Sequence, residues 1–328
     1  MINKYKGCLL GLAIGDALGA PIKFLHLPEI KVKYGEDGIT EFDAWDRFRP
    51  GFYTDDTQMS LATTVGCIKI FQRFMYKRAC NSTDVVYARY LEWLESQANQ
   101  YQMRFPGNTC LNALKSGKMG TIESPINYSK ECGGLLRTAA VGLAFPPEMA
   151  FREGAEYAAI THGHPSGYLP AGFLSKVIAH ILEGKSLQEA VELGIRRLIK
   201  YEGHEETLKK IMLAVELSFS LESVENAIKE IGEGVGGEEA LAIGLYCSLK
   251  YFYDFRKGVQ AAVNHSGESD TTGMITGAIL GALLGDEDMP ESWILKLENA
   301  PAINKLADDS FAIFKGHRSL PLETYPLN

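Results

Sequence analysis

Apolar residues recur at the three-to-four-residue spacing of a helix along most of the chain, while the two-residue alternation of half-buried strands is sparse. The pattern predicts helices over residues 57–74, 82–97, 149–161, 167–183, 186–201, 205–220 and 238–253, then over 256–263, 272–284 and 291–297. Two stretches break the rhythm. Residues 34–53 are rich in Gly, Asp and Pro, and residues 101–134 carry Pro-Gly, Lys-Ser-Gly and Cys-Gly-Gly turns. Long irregular segments inside a helical domain tend to carry function, so a substrate is expected there. No Pro/Ser-rich linker, low-complexity run or charge block marks a boundary. The expectation is an all-α protein, a helical bundle in a single domain over residues 1–328.

Composition narrows the partners. With 328 residues, 46% of them apolar, the chain can bury a core without disulfide or metal staples. A formal charge of −8, a pI near 5.5 and scattered basic residues leave no footprint for a nucleic acid. An acidic protein that handles an anionic substrate needs something to offset the repulsion, and a bound divalent cation is one means. The cysteines Cys8, Cys67, Cys80, Cys110, Cys132 and Cys247 form no CxxC pair and are too few for a secreted disulfide scaffold, so they read as reduced, buried thiols.

The first twenty residues mimic a signal peptide, with Lys4 and Lys6 ahead of an apolar run. Asp16 and the glycines that load the short run argue against that reading. Residues 274–284 fall far below the roughly 20 apolar residues of a spanning helix. A cytoplasmic protein without a membrane partner is expected.

Two constellations carry candidate chemistry. Thr54-Asp55-Asp56-Thr57 opens a predicted helix, and Gly267-Glu268-Ser269-Asp270-Thr271-Thr272-Gly273 sits directly before another. Each reads as a helix cap, because hydroxyls and carboxylates satisfy free amides and suit the helix dipole. Each also reads as an oxygen-rich site for a hard cation such as Mg2+. Two such starts near opposite ends of the chain suggest one shared metal site. His162 and His164, in Thr-His-Gly-His-Pro, form a pair too small to indicate zinc by itself.

A resemblance covers most of the chain. Gly7-Cys-Leu-Leu-Gly-Leu-Ala-Ile-Gly-Asp-Ala-Leu-Gly-Ala20, Thr54-Asp-Asp-Thr57, Pro106-Gly-Asn-Thr-Cys110, Cys132-Gly-Gly-Leu-Leu-Arg137, Thr161-His-Gly-His-Pro165 and Ser269-Asp-Thr-Thr-Gly273 stand in the order of the ADP-ribosylglycohydrolase family, which the sequence resembles. The resemblance implies an orthogonal helical bundle with two Mg2+ ions, or Mn2+ in their place, at the base of a cleft for ADP-ribose. It implies Thr54, Asp55, Asp56, Glu268, Asp270 and Thr271 as ligands, and Asp55, Asp56 and Asp270 as the catalytic carboxylates. A metal-associated water would attack the anomeric carbon. Asp16 would border the cleft, Gly107, Asn108, Gly133 and Gly134 would offer amides to the diphosphate, and His162 would touch substrate. Close helix packing is the alternative for the Asp16 segment, turn chemistry for Gly107, Asn108, Gly133 and Gly134, and a capping role for His162 or His164. His265 would stand behind the ligands and orient them. The implied partner is ADP-ribose or an ADP-ribosylated protein, with arginine the first acceptor to try, and the implied state is a monomer.

Two positions depart from the family pattern. Lys23 stands where a glutamate usually precedes Phe24, and Glu268 stands where an aspartate is common. A protonated lysine repels a cation, unless burial lowers its pKa or it swings out to solvent. The alternative to a hydrolase is therefore a protein that binds ADP-ribose or blocks a partner without turnover.

Overall fold

The computed structural model describes residues 1–326. The chain starts with α1 (Ile2–Gly19), α2 (Leu27–Tyr34), α3 (Asp55–Met75), α4 (Ser82–Ser96), α5 (Asn108–Lys115), α6 (Ala139–Ala144), α7 (Pro147–Ala159) and α8 (Pro165–Leu182). It continues with α9 (Leu187–Leu198), α10 (Glu205–Phe219), α11 (Val224–Ile231), α12 (Gly237–Lys250), α13 (Phe255–Val263), α14 (Ser269–Leu284), α15 (Glu291–Lys296) and α16 (Ala300–Phe314). Among the described residues there is no sheet, only isolated bridges joining Trp45 to Phe48 and Glu131 to Gly236. The all-α expectation holds, and each of the ten predicted helices corresponds to an observed one with ends shifted by three residues or fewer. Six helices were not predicted: α1, α2, α5, α6, α11 and α16.

The centre of the fold is the antiparallel pair α1 and α14. Glycines recur every four residues on both, at Gly7, Gly11, Gly15 and Gly19 on α1 and at Gly273, Gly277 and Gly281 on α14. A Cβ on Gly11 would stand 2.2 Å from the carbonyl oxygen of Gly277, and one on Gly277 would stand 2.0 Å from that of Gly11. The same holds at Gly7 against Gly281 and at Gly15 against Gly273. The backbones therefore touch, each glycine Cα–H meeting a carbonyl oxygen across the pair, a contact worth roughly 0.5–1 kcal/mol. Around this pair, α16 packs on α1, and α12 and α13 pack on α14, while α6 and α7 pack on α8.

The pair's register sets up everything that follows. Because Gly19 meets Ser269 and Asp270, the C-terminal end of α1 lies against the first turn of α14. Asp16 on that end then reaches the first turn of α3. No single described helix is long and apolar enough to cross a membrane, and α1 is buried from Gly7 to Gly19.

Candidate active site

Three helix ends meet at one place. Asp16 is fully buried; its Oδ1 accepts from the Thr54 amide at 2.9 Å, and its Oδ2 accepts from the Thr57 amide at 3.0 Å and the Thr57 hydroxyl at 2.6 Å. The Thr54 hydroxyl accepts from the Asp56 amide at 3.2 Å and caps α3. From the other side, the Thr271 hydroxyl in the first turn of α14 donates to Asp56 Oδ2 at 3.0 Å. The amino ends of α3 and α14 thus converge on Asp55, Asp56 and Asp270, where the positive ends of two helix dipoles offset part of the crowding.

The loop before α14 is shaped by Gly267, at φ +110°, where a Cβ would stand 2.1 Å from the Glu233 carbonyl oxygen. The Glu268 amide donates to that same carbonyl at 2.9 Å. His265 braces the loop: Nδ1–H donates to the Ser266 carbonyl at 2.6 Å and Nε2 lies 2.7 Å from the Thr272 hydroxyl. Burial pushes its pKa down to about 4, so it orients the motif as a neutral ring. Arg104 holds the other loop, donating to the Tyr53 carbonyl at 2.9 Å and forking onto Glu298, just ahead of Thr54.

Lys23 turns inward. Its Nζ lies 2.8 Å from Asp270 Oδ2 and 3.1 Å from Glu268 Oε2. Burial opposes its charge, but Asp270, Asp56, Glu268 and Asp55 together raise its pKa well above the ordinary lysine value. The lysine therefore stays protonated and inside, which selects among the three alternatives that the sequence leaves open for it. Burial and the neighbouring charges push Asp16 up to about 6, Asp55 up to about 7, and Asp56 well above the carboxylate range.

Above these groups opens a cavity of about 540 Å³. Lys23, Thr54, Asp55, Asp56, Glu268 and Thr271 line its base, and Gly107, Asn108, Gly133 and His162 line its walls. Of the predicted site residues, Asp16, Gly134 and Asp270 do not line it. Asp16 spends both oxygens on α3, which its placement at the cleft did not anticipate. Gly134 is buried in helix packing, with a Cβ position 3.0 Å from the Gly167 carbonyl oxygen. Asp270 is fully buried beneath Lys23.

The Arg137 guanidinium, which can only donate, bonds the Thr161 hydroxyl, and that hydroxyl lies 2.8 Å from His162 Nδ1. Burial and Arg137 push the His162 pKa down to about 3, so the ring stands uncharged at the cavity wall. His164 plays a different part, accepting from the Ser166 amide at 3.0 Å as the cap of α8.

Sequence reasoning missed three aromatic residues of the lining. Phe24, Trp45 and Phe105 line the cavity from three separate segments, and Phe24 and Phe105 are exposed residues held at φ +65° and +61°. Left-handed backbone at bulky residues is strained and clusters at functional sites. Cys110 and Cys132 also line the cavity, but burial pushes both thiols up, Cys110 to about 11, so neither is a ready nucleophile.

A model of the ADP-ribosylglycohydrolase family matches residues 1–319. The chain belongs to this family. Among its relatives, the ADP-ribosyl-[dinitrogen reductase] glycohydrolase of Rhodospirillum rubrum is 26% identical over 302 residues, covering 89% of each chain. The ADP-ribosylarginine hydrolase Tri1 of Serratia proteamaculans is 25% identical, covering 94% of this chain and 79% of that one. Human ADP-ribosylhydrolase ARH3 is 24% identical, covering 96% and 94%. A solved ADP-ribosylglycohydrolase-related protein complex shares the fold, with a TM-score of 0.73 at 23% identity over 97% of this chain and 99% of that one.

The predicted ligand set fits a hard cation in part. The oxygens of Thr54, Asp55, Asp56 and Thr271 are of the right type, and the buried Oδ1 of Asp270 has no hydrogen-bond partner. Two other predicted donors, Asp270 Oδ2 and Glu268 Oε2, are engaged by Lys23. Among the described residues no three His, Cys, Asp or Glu side chains converge on a ready metal site. Lys23 leaves Oδ1 of Asp270 and the oxygens of Thr54, Asp55, Asp56 and Thr271 clear of its ammonium.

Proposed function

We propose that the chain hydrolyses the glycosidic bond between ADP-ribose and an acceptor, with ADP-ribosylated arginine as the first substrate and Mg2+ or Mn2+ as cofactor. The observation that carries this reading is the meeting of Thr54-Asp55-Asp56 with Glu268 and Thr271 at the base of one cavity, in a chain of this family. A volume of about 540 Å³ suits a nucleotide-sized ligand. Arginine comes first because a relative matched over most of the chain bears the name of an ADP-ribosylarginine hydrolase.

Thr54, Asp55, Asp56, Thr271 and Oδ1 of Asp270 would hold the cation, and a bound divalent ion supplies Lewis acidity and acidifies water. His162 would meet a polar atom of the substrate without carrying charge. Phe24, Trp45 and Phe105 would cover the apolar faces of the ligand and keep water out. The amides near Gly107 and Gly133 would take part of the diphosphate charge.

The test is release of ADP-ribose from ADP-ribosylated arginine peptides by the purified chain, with Mg2+ and with chelator. Cation-dependent release is expected; a panel of ADP-ribosylated substrates left intact would overturn the hydrolase. Lys23 favours a second reading, ADP-ribose binding without turnover, because its ammonium sits on two of the expected ligand carboxylates. Calorimetric binding of ADP-ribose in a sample that releases none would select it.

A further inference from the structure

We propose that the Lys23 ammonium is a resident cation that takes one cation position of the acidic centre, so that the chain binds one divalent ion fewer with Lys23 than without it. This rests on the reading that the carboxylates hold a divalent ion.

The backbone is built to deliver Lys23 there. The chain leaves α1 at Gly19, makes one turn over Ala20–Ile22, and reverses at Phe24 with φ +65°. The Phe24 amide donates to the Gly267 carbonyl at 2.9 Å, which fastens the turn to the loop carrying Glu268. A bulky residue in left-handed backbone is unfavourable in isolation, so the surrounding contacts fix the reversal. One consequence of the reversal is that the Lys23 side chain enters the cavity base while the ring of Phe24, 63% exposed, lines the same cavity with its centroid 5.2 Å from the Lys23 Nζ.

Once there, the ammonium does what an ion would do. It bridges two carboxylates from the start of α14, at 2.8 and 3.1 Å, and lies within the field of Asp55 and Asp56 on α3. Its direct contacts are to the α14 half of the predicted ligand set, and the α3 half acts on it through charge. A lysine ammonium is a compact point charge with three donors, so it can satisfy several carboxylates at once. It spares Oδ1 of Asp270, which stays buried without a partner. A divalent ion that used Glu268 and both oxygens of Asp270 would have to expel the ammonium into a space lined by the same carboxylates. An ion that used Asp55, Asp56 and Oδ1 of Asp270 would not.

The experiment is a count of Mn2+ bound per chain, by equilibrium dialysis or by the paramagnetic signal of free Mn2+, for the full chain, Lys23→Gln and Lys23→Met. Thermal melts establish that each variant folds. The expected result is at most one Mn2+ on the unaltered chain and a gain of one Mn2+ per chain in both variants. Equal counts in the unaltered chain and the variants would overturn the inference and leave the cation reading standing. No Mn2+ on any of the three would overturn both. Should neither variant fold, two Mn2+ on the unaltered chain would refute the inference alone, and one would uphold it. Because no step measures hydrolysis, a failed ADP-ribose assay is a separate result.

Discussion

The α1–α14 pair contains two regions that share one geometry and put it to opposite use. Between Gly7 and Gly15 the helices meet backbone to backbone, with no side chain and no titratable atom between them. One turn further along, the same close approach brings Asp16 and the end of α1 against Asp270, and Lys23 is drawn in with them. In the glycine stretch, proximity yields dispersion and weak Cα–H···O contacts that stabilise the fold. At the acidic end, burial first and the neighbouring carboxylates second raise the pKa values of Asp16 and Asp55, which costs stability. The glycine stretch holds like charges at a separation they would not adopt alone, and that separation is what a cation site needs.

The sharpest way to break this comparison is to separate the helices. Gly277→Ala places a Cβ 2.0 Å from a backbone oxygen that cannot rotate away. A loss of at least about 3 kcal/mol is expected, at or beyond the upper end for overpacked cores. Gly107→Ala, with open space around its Cβ position, should stay within about 1 kcal/mol. Urea unfolding of the two variants reads the contrast directly, and equal midpoints would show that the glycines do not set the spacing.

The second change leaves the glycines and removes a charge. Asp56→Asn keeps an oxygen for the Thr271 hydroxyl but deletes one of the crowded carboxylates. Hydrolysis should fall by at least about 100-fold, close to 2.7 kcal/mol in the barrier, while the melting temperature of the chelated protein holds or rises. A large loss of stability with activity retained would mean that Asp56 serves the fold.

Asp16 sits between the two regions, and Asp16→Asn separates its roles. One amide orientation turns an NH2 toward the Thr54 amide and the other turns it toward Thr57, so a buried donor faces a donor either way. A loss of about 2 kcal/mol in chemical denaturation follows. Unchanged stability would mean that Asp16 does not hold the start of α3.

Sequence pattern reveals such features unevenly. Helices such as α9 and α10 were legible because each buries one face and leaves the other wet, which fixes the 3.6-residue period. The helix α1 is buried on all sides from Gly7 onward, so it has no stripe to read, and its apolar run imitates a leader segment. α11 was readable and was passed over: Ser223 caps it and Gly232, at φ +144°, ends it. Site residues adjacent in sequence, such as Asp55 and Asp56, were legible as motifs. The aromatic lining was not, because Phe24, Trp45 and Phe105 meet only through loop conformation. Lys23 was noticed as a departure, yet its partner is 247 positions away and only the α1–α14 register brings the two together.

Titration sharpens the comparison further. In the cation-free protein, Asp16 and Asp55 have folded pKa values of about 6 and about 7, against an ordinary value of 3.8. A carboxyl whose pKa is raised on folding contributes stability that is fully present below pH 3.8 and is lost as pH rises through the folded value. Buried neutral His162 and His265 work in reverse: their depressed pKa values cost stability as pH falls below about 6.5. The total pH profile therefore mixes two opposed slopes, and the difference between the unaltered chain and Asp55→Asn isolates one of them, since both proteins carry the same histidines. Between pH 4 and pH 7 that difference should move steadily in favour of Asp55→Asn and then level off. Saturating Mg2+ should erase the drift, because a bound cation holds Asp55 ionised. A difference that stays flat in chelator would mean that Asp55 is not crowded by its neighbours, and the contrast between the glycine stretch and the acidic end would lose its energetic basis.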